Sequence, residues 1–301
     1  MTAQGRRLAV AGCVAVVVGA SAVRAIQTPT ESRERTVTLS AVGSGDKPIA
    51  ALSAADVSVR EDGRSREVLR VAPAPPPTHV ALLIDDSQVA KDAMLFLRTA
   101  LAGFVKRMLA GEQAPQVGLW TFGERPTRRA DFSPNSAQLD RALERTFAQT
   151  GSGSYLLEAI DEVSKDLKKR KAERPVLVAY VDERGPEFSN LLHKNVADAL
   201  QGAGASLWIV TQQARNQNMG VPESRERAMV LGDVTGWSGG ANTVILTPQA
   251  LDGAFASLAD QILGRFVVTY IRPEMLVPPE RLEVTVKRPD VKLRVTRWAS
   301  R

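Results

Sequence analysis

The sequence predicts a doubly wound, mostly parallel α/β sheet, flanked at both ends of the chain by β segments. Three observations carry this. Val80-Ala-Leu-Leu-Ile84 and Val176-Leu-Val-Ala-Tyr-Val181 are unbroken apolar runs of strand length, the pattern of strands buried on both faces. Around them, stretches with apolar residues at helical spacing alternate with further short apolar runs. Near the end of the chain the period becomes two: Leu282, Val284 and Val286 alternate with Glu283, Thr285 and Lys287, as in a strand with one wet face. With 301 residues, 44% of them hydrophobic, the chain has enough apolar material for a real core.

At the start, Arg6-Arg7 precede the apolar run Leu8 to Val18, and Val23-Arg24-Ala25 offers small residues for cleavage. This is the layout of a secretory signal peptide over residues 1–25. Val10-Ala-Gly-Cys13 is a competing lipoprotein-type box, but its apolar stretch falls short of the usual roughly 7–15 residues. Cleavage after Ala25 is therefore expected, leaving an exported protein, periplasmic or extracellular. Cys13 is the only cysteine, so the mature chain would carry neither disulfide nor thiol chemistry. No later run is long enough to span a membrane. The net charge is +6, and Arg6, Arg7 and Arg24 of the leader account for half of it. The rest is dispersed, with Lys168 to Lys171 the densest run, and lacks interleaved aromatics; a nucleic-acid partner is not expected.

Residues 26–71 read as an N-terminal β module. After a flexible lead, Thr36–Val42, Val57–Glu61 and Glu67–Val71 have strand character, with Asp62-Gly63 as the turn between the last two and a helical turn opening at Ser53-Ala-Ala-Asp56. The proline-rich stretch 72–78 reads as a semi-rigid linker. The α/β domain follows at 79–266. Helices are predicted over Lys91–Ala110, Ser136–Gln149, Ser154–Arg170, Ser189–Leu200 and Leu251–Phe266. Strands are predicted over Val117–Phe122, Leu207–Val210 and Thr243–Leu246, with a short edge strand at Asp131-Phe132. In the tail, residues 267–301, Val291, Leu293 and Val295 are expected to form a hairpin with Leu282–Val286 around Arg288-Pro-Asp290, with Val267–Ile271 beside it. The two β pieces are expected to pack into one small sandwich.

Three loops converge on the carboxyl edge of the predicted sheet: Asp85-Asp86-Ser87, Thr150-Gly-Ser-Gly-Ser154 and Asp182-Glu183. Ligands of open α/β sheets bind at that edge. Donors that are all oxygen suit a hard cation, Mg²⁺ or Ca²⁺. These segments resemble the von Willebrand factor type A (vWA) domain, whose metal-ion-dependent adhesion site uses D-x-S-x-S, a distant threonine and a distant aspartate. Asp85 and Ser87 match the first motif, Ser154 in Gly153-Ser-Tyr-Leu-Leu-Glu-Ala-Ile160 stands for the threonine, and Asp182 for the aspartate. Val89 replaces the second serine, and Glu183 the usual glycine. The resemblance covers residues 79–266, and the flanks are similar to those of exported bacterial vWA-related proteins of the acidobacterial type. It implies a protein-binding or adhesion module in which a bound cation takes an acidic group of a protein partner. A valine side chain cannot coordinate a cation, so the implied metal site of Asp85, Ser87, Ser154 and Asp182 is degenerate, and Mg²⁺ or Ca²⁺ binding there is expected to be weak or absent. Asp86, Glu183 and Trp237 are the expected partner contacts.

Other chemistries fit less well. Asp85-Asp86 is also similar to the acidic pair of phosphoacceptor receiver domains, but an export signal and β flanks do not belong to those. Gly236-Trp-Ser-Gly-Gly240 matches the G-x-S-x-G nucleophile pattern around Ser238, which needs a strand before and a helix after. Here a helical stretch, Glu226 to Leu231, precedes and the strand follows. His79 and His193, the only histidines, suggest neither a triad nor a zinc site. No enzymatic activity is expected. The alternative to cation-dependent recognition is a metal-independent structural or assembly factor of the cell envelope.

Overall fold

The computed structural model describes residues 34–213, 222–273, 277 and 279–299. The signal peptide and Cys13 readings fall outside the described residues.

The first strands are β1 (Glu34–Val42), β2 (Val57–Glu61), β3 (Arg64–Arg66) and β4 (Val68–Pro73). Ser53 caps the turn before β2: its Oγ and its backbone N–H both donate to Asp56 Oδ2, at 2.6 and 3.0 Å. Asp62 and Gly63 have φ of 45° and 77°, as a two-residue hairpin turn of the primed type demands. The hairpin so formed joins β2 to β3 and not to β4. At Glu67 the chain leaves for another sheet, so the predicted strand Glu67–Val71 is not the partner of β2.

The α/β part runs β5 (His79–Ile84), α1 (Met94–Met108), β6 (Gln116–Thr121), β7 (Thr127–Ser133), α2 (Ser136–Glu144), α3 (Leu156–Lys169), β8 (Val176–Asp182), α4 (His193–Ala203), β9 (Ser206–Gln212), α5 (Pro222–Met229), α6 (Thr235–Trp237), β10 (Asn242–Ile245) and α7 (Leu251–Leu263). Helices are shorter than their apolar spacing predicts. Residues after Glu144 are drawn off by loop contacts, with Gln149 N–H donating to Asp86 O at 2.7 Å and Arg98 holding Thr146 O. The six strands are ordered β10-β9-β8-β5-β6-β7, parallel except for β7, which closes one edge antiparallel. Side chains of β5 alternate between two cores: Val80, Leu82 and Ile84 pack with α1 and α7, and Ala81 and Leu83 with α3 and α4.

The tail comprises β11 (Phe266–Ile271), β12 (Leu282–Val286) and β13 (Lys292–Val295). The hairpin expected there does not form. β12 pairs with β2 in a three-stranded sheet, and β13 pairs with β1 in the four-stranded sheet β13-β1-β11-β4. A local hairpin would leave the outer edges of β1 and β2 unpaired, and the tail strands cover those edges instead. Val37, Leu39, Val59, Val268, Tyr270 and Leu282 form the core between the two sheets. Glu61 ties them together, accepting from Arg66, Arg272 and the Tyr270 hydroxyl. The proline-rich stretch is bonded to the α/β part: Ala74 N–H donates to Arg265 O at 2.8 Å and Thr78 N–H to Glu173 O at 3.1 Å.

Candidate functional site

From β5 the sheet is built outward through β6 on one side and through β8, β9 and β10 on the other. The winding therefore reverses between β5 and β8, and the carboxyl ends of those two strands frame the crevice where such folds bind ligands. Asp85 follows β5 and Asp182 ends β8. The backbone joins them: Asp182 N–H donates to Asp85 Oδ2 at 3.1 Å, and Ser87 N–H donates to Asp85 Oδ1 at 3.0 Å. Asp85 has no exposed surface. Burial pushes its carboxyl up to about 6, against the pull of these N–H groups.

The carboxylate of Asp182 is covered by Arg184. The guanidinium donates from Nε to Oδ1 at 2.8 Å and from Nη2 to Oδ2 at 2.6 Å, a two-pronged ion pair. Nη2 also donates to the carbonyl of Val89 at 2.8 Å, and the Arg184 backbone N–H reaches Oδ1 at 3.1 Å. Bonding to Asp182 holds the arginine still more firmly in its charged form. Val89 fills the space beside it: a Cβ on Gly185 would lie 2.8 Å from Val89 Cγ2 and 3.7 Å from Ser87 Oγ. Ser87 Oγ is itself buried with no hydrogen-bond partner.

Ser154 is turned to a different task. Its Oγ donates to Glu187 Oε2 at 3.0 Å, while Glu187 Oε1 accepts the Leu156 N–H at 3.1 Å and the Ser189 hydroxyl. Ser189 Oγ accepts the Leu157 N–H at 3.1 Å. The pair Glu187 and Ser189 thus supplies acceptors to the first N–H groups of α3, which lack partners within the helix. Arg227 of α5 lies 4.0 Å from Glu187 and donates to the carbonyls of Gly185 and Glu183 at 3.0 and 3.3 Å. Burial pushes Glu187 up to about 7.

Residues 79–221 match the model of the von Willebrand factor type A domain. The α/β part of this chain is a vWA domain. Among solved structures, the chain is similar to the SpRpn10 VWA domain, with 14% identity over 59% of this chain and 93% of that one, at a TM-score of 0.45. It is similar to the vWF domain of the type V pili tip protein Mfa5 from Porphyromonas gingivalis, with 12% identity over 68% and 99% of the two chains and a TM-score of 0.46. It is also similar to proximal thread matrix protein 1 from the mussel byssus, with 10% identity, 64% of this chain covered and a TM-score of 0.49, spanning 48% of that protein. No curated protein sequence matches.

The fold brings Asp85, Ser87, Ser154 and Asp182 to the edge where a vWA domain holds its cation, but their donor atoms do not fit one. Asp182 is already neutralised by a guanidinium, and both oxygens of Asp85 are engaged by backbone N–H groups. Ser154 bonds to Glu187, and Val89 contributes no side-chain oxygen. A hard cation needs a shell of about six oxygens. Among the described residues, no group of three or more His, Cys, Asp or Glu side chains stands ready to hold a metal.

The three expected contact residues are placed differently. Asp86 is 2% exposed and its Oδ1 accepts the Gly123 N–H at 2.6 Å, so it braces the loop after β6 and offers no surface. Glu183 is half-buried on the site loop. Trp237 lies far along the sheet, at the amino edge, where its carbonyl accepts the Arg297 N–H at 2.9 Å and its ring packs on the core. Neighbouring Ser238 is buried, donates to Thr235 O at 2.7 Å and accepts the Leu207 N–H at 2.9 Å, a structural hydroxyl rather than a nucleophile. Sequence reasoning missed Arg184, Glu187 and Arg227. The first had a signal, a cation two residues after the aspartate in a loop where the family carries glycine; the other two had none.

Proposed function

We propose that this vWA domain is a metal-independent protein-recognition module, exported to the cell envelope, in which Arg184 holds the place of the cation. The observation that carries this is the two-pronged bond of Arg184 to Asp182, extended to the Val89 carbonyl. In the vWA mechanism a cation keeps one position open for an acidic group of the partner. A guanidinium does equivalent work with a spare donor. Arg184 is 36% exposed, and its Nη1 donates to no described group. On the same loop, Phe188 is 46% exposed and offers apolar contact beside the charge. A partner presenting a carboxylate next to an apolar side chain suits that pairing. Export is supported by Arg6-Arg7, the apolar run Leu8 to Val18 and Val23-Arg24-Ala25. The module binds; it does not catalyse.

The test is partner capture by the mature chain from an envelope extract, with wild type and Arg184→Glu compared in Mg²⁺ and in EDTA. The expected result is capture by wild type that EDTA leaves unchanged and Arg184→Glu removes. Capture that EDTA abolishes, or that Arg184→Glu leaves intact, overturns the reading.

A further inference from the structure

At the amino edge of the central sheet, opposite the site above, lies a cavity of about 850 Å³. That is the size of a small-molecule site, roughly 300–1,000 Å³. Pro175 before β8, Ser206 of β9, the strand β1 from Thr36 to Ser40 and Trp298 of the tail all line it. Its charged lining is three cations, Lys168, Arg174 and Arg265, against one carboxylate, Asp198.

Three of the lining residues bury a polar atom with no hydrogen-bond partner: Ser40 Oγ, Arg174 Nε and Arg265 Nη2. Arg265 is the most constrained. It is 5% exposed, its Nε donates to Ile262 O at 2.9 Å, and no described carboxylate pairs with it. Burial, and then the charge of Arg174, push its pKa down to about 10. Arg174 is paired outside the cavity, its Nη1 lying 3.4 Å from Glu173 Oε2. Arg265 has no such partner among the described residues, and a buried guanidinium beside a second cation is unfavourable unless something completes it.

We propose that this cavity binds a small organic oxyanion, a carboxylate or phosphate. The anion sits on Arg265 with Arg174 and Lys168 around it, and the apolar part of the ligand lies against Leu39 and Trp298. Guanidinium groups favour such oxyanions for their matched geometry and charge. Because the cavity is at the far edge of the sheet, this site is independent of recognition through Arg184.

Calorimetric titration of the mature chain with inorganic phosphate and, separately, with benzoate tests it. At least one probe should bind in a one-to-one ratio, and which one does identifies the oxyanion. Arg265→Met should weaken binding by about tenfold or more, the scale of one hydrogen bond to a charged group. Lys168 and Asp198 are exposed helix residues whose replacement leaves the core untouched. Lys168→Ala should weaken binding and Asp198→Asn should strengthen it, so the test stands even if Arg265→Met fails to fold. Absence of binding by both probes at millimolar concentration overturns the proposal. So does binding that Lys168→Ala and Asp198→Asn leave unchanged.

Discussion

At Asp182 the guanidinium of Arg184, two residues away, occupies the pair of oxygens that a divalent ion from solution would need. The arginine is tethered, so its effective concentration at the carboxylate is high and it gives up no translational freedom on binding. By the sequence pattern alone, a serine at position 89 is expected to raise the Mg²⁺ affinity of a degenerate site. With Asp182 engaged by Arg184, that single change should not be enough. Val89→Ser alone is expected to show no Mg²⁺ binding by calorimetry. Combining it with Arg184→Gly should bind Mg²⁺ about tenfold more tightly than Arg184→Gly alone, the worth of one added oxygen contact. Mg²⁺ binding by Val89→Ser alone would remove the argument for Arg184 as the resident cation.

Among the elements, β2 and β11 are joined through one carboxylate. Burial works to raise the Glu61 carboxyl, but the bonds from Arg272, Tyr270 and Arg66 outweigh it and hold it below the ordinary range. The folded state therefore releases this proton more readily than the unfolded chain. Glu61 contributes stability above its ordinary value of 4.5, and that contribution is lost as the pH falls below it. Glu61→Gln, which leaves Arg272 buried beside a neutral group, should cost about 3–5 kcal/mol at neutral pH. It should also flatten the acid limb of stability, both measured by urea denaturation across pH. A second element-scale constraint lies at the turn into β10. A Cβ on Gly240 would fall 1.7 Å from the carbonyl oxygen of Leu207, whereas one on Gly232 meets nothing within 4 Å. Gly240→Ala should lower stability by roughly 3 kcal/mol or prevent folding, and Gly232→Ala should be near neutral. Equal urea midpoints for the two variants would contradict this packing.

For the molecule as a whole, the N-terminal strands depend on strands that follow the α/β part. β1 lies between β11 and β13, and β2 lies between β3 and β12. A fragment of residues 34–78 retains the β2–β3 hairpin but loses β11, β12 and β13, and with them Val268, Tyr270 and Leu282 of the shared core. It should be unfolded by circular dichroism and show no cooperative thermal transition, because a hairpin and two strands left without their neighbours are too little for an independent core. Residues 34–78 added to residues 79–299 in two pieces should regain that transition. A cooperatively folding fragment would show that the N-terminal strands form a domain of their own.

What the sequence determined by itself was local periodicity and its consequences. Unbroken apolar runs identified β5 and β8 as central strands, helical spacing identified α1, α3 and α7, and the ends of those strands placed Asp85 and Asp182 at one edge. These signals are legible because each depends on residues adjacent in the chain. The tertiary structure alone decided which edges the tail strands cover. β12 and β13 are close enough in sequence to pair with each other, and only the unpaired edges of β1 and β2, more than two hundred residues earlier, draw them apart. It also decided what stands on Asp182. A cation near a carboxylate in the chain says nothing about where its side chain points; the bond of Arg184 to Asp182 is set by the Val89 carbonyl across the crevice, which supplies a third acceptor for the guanidinium.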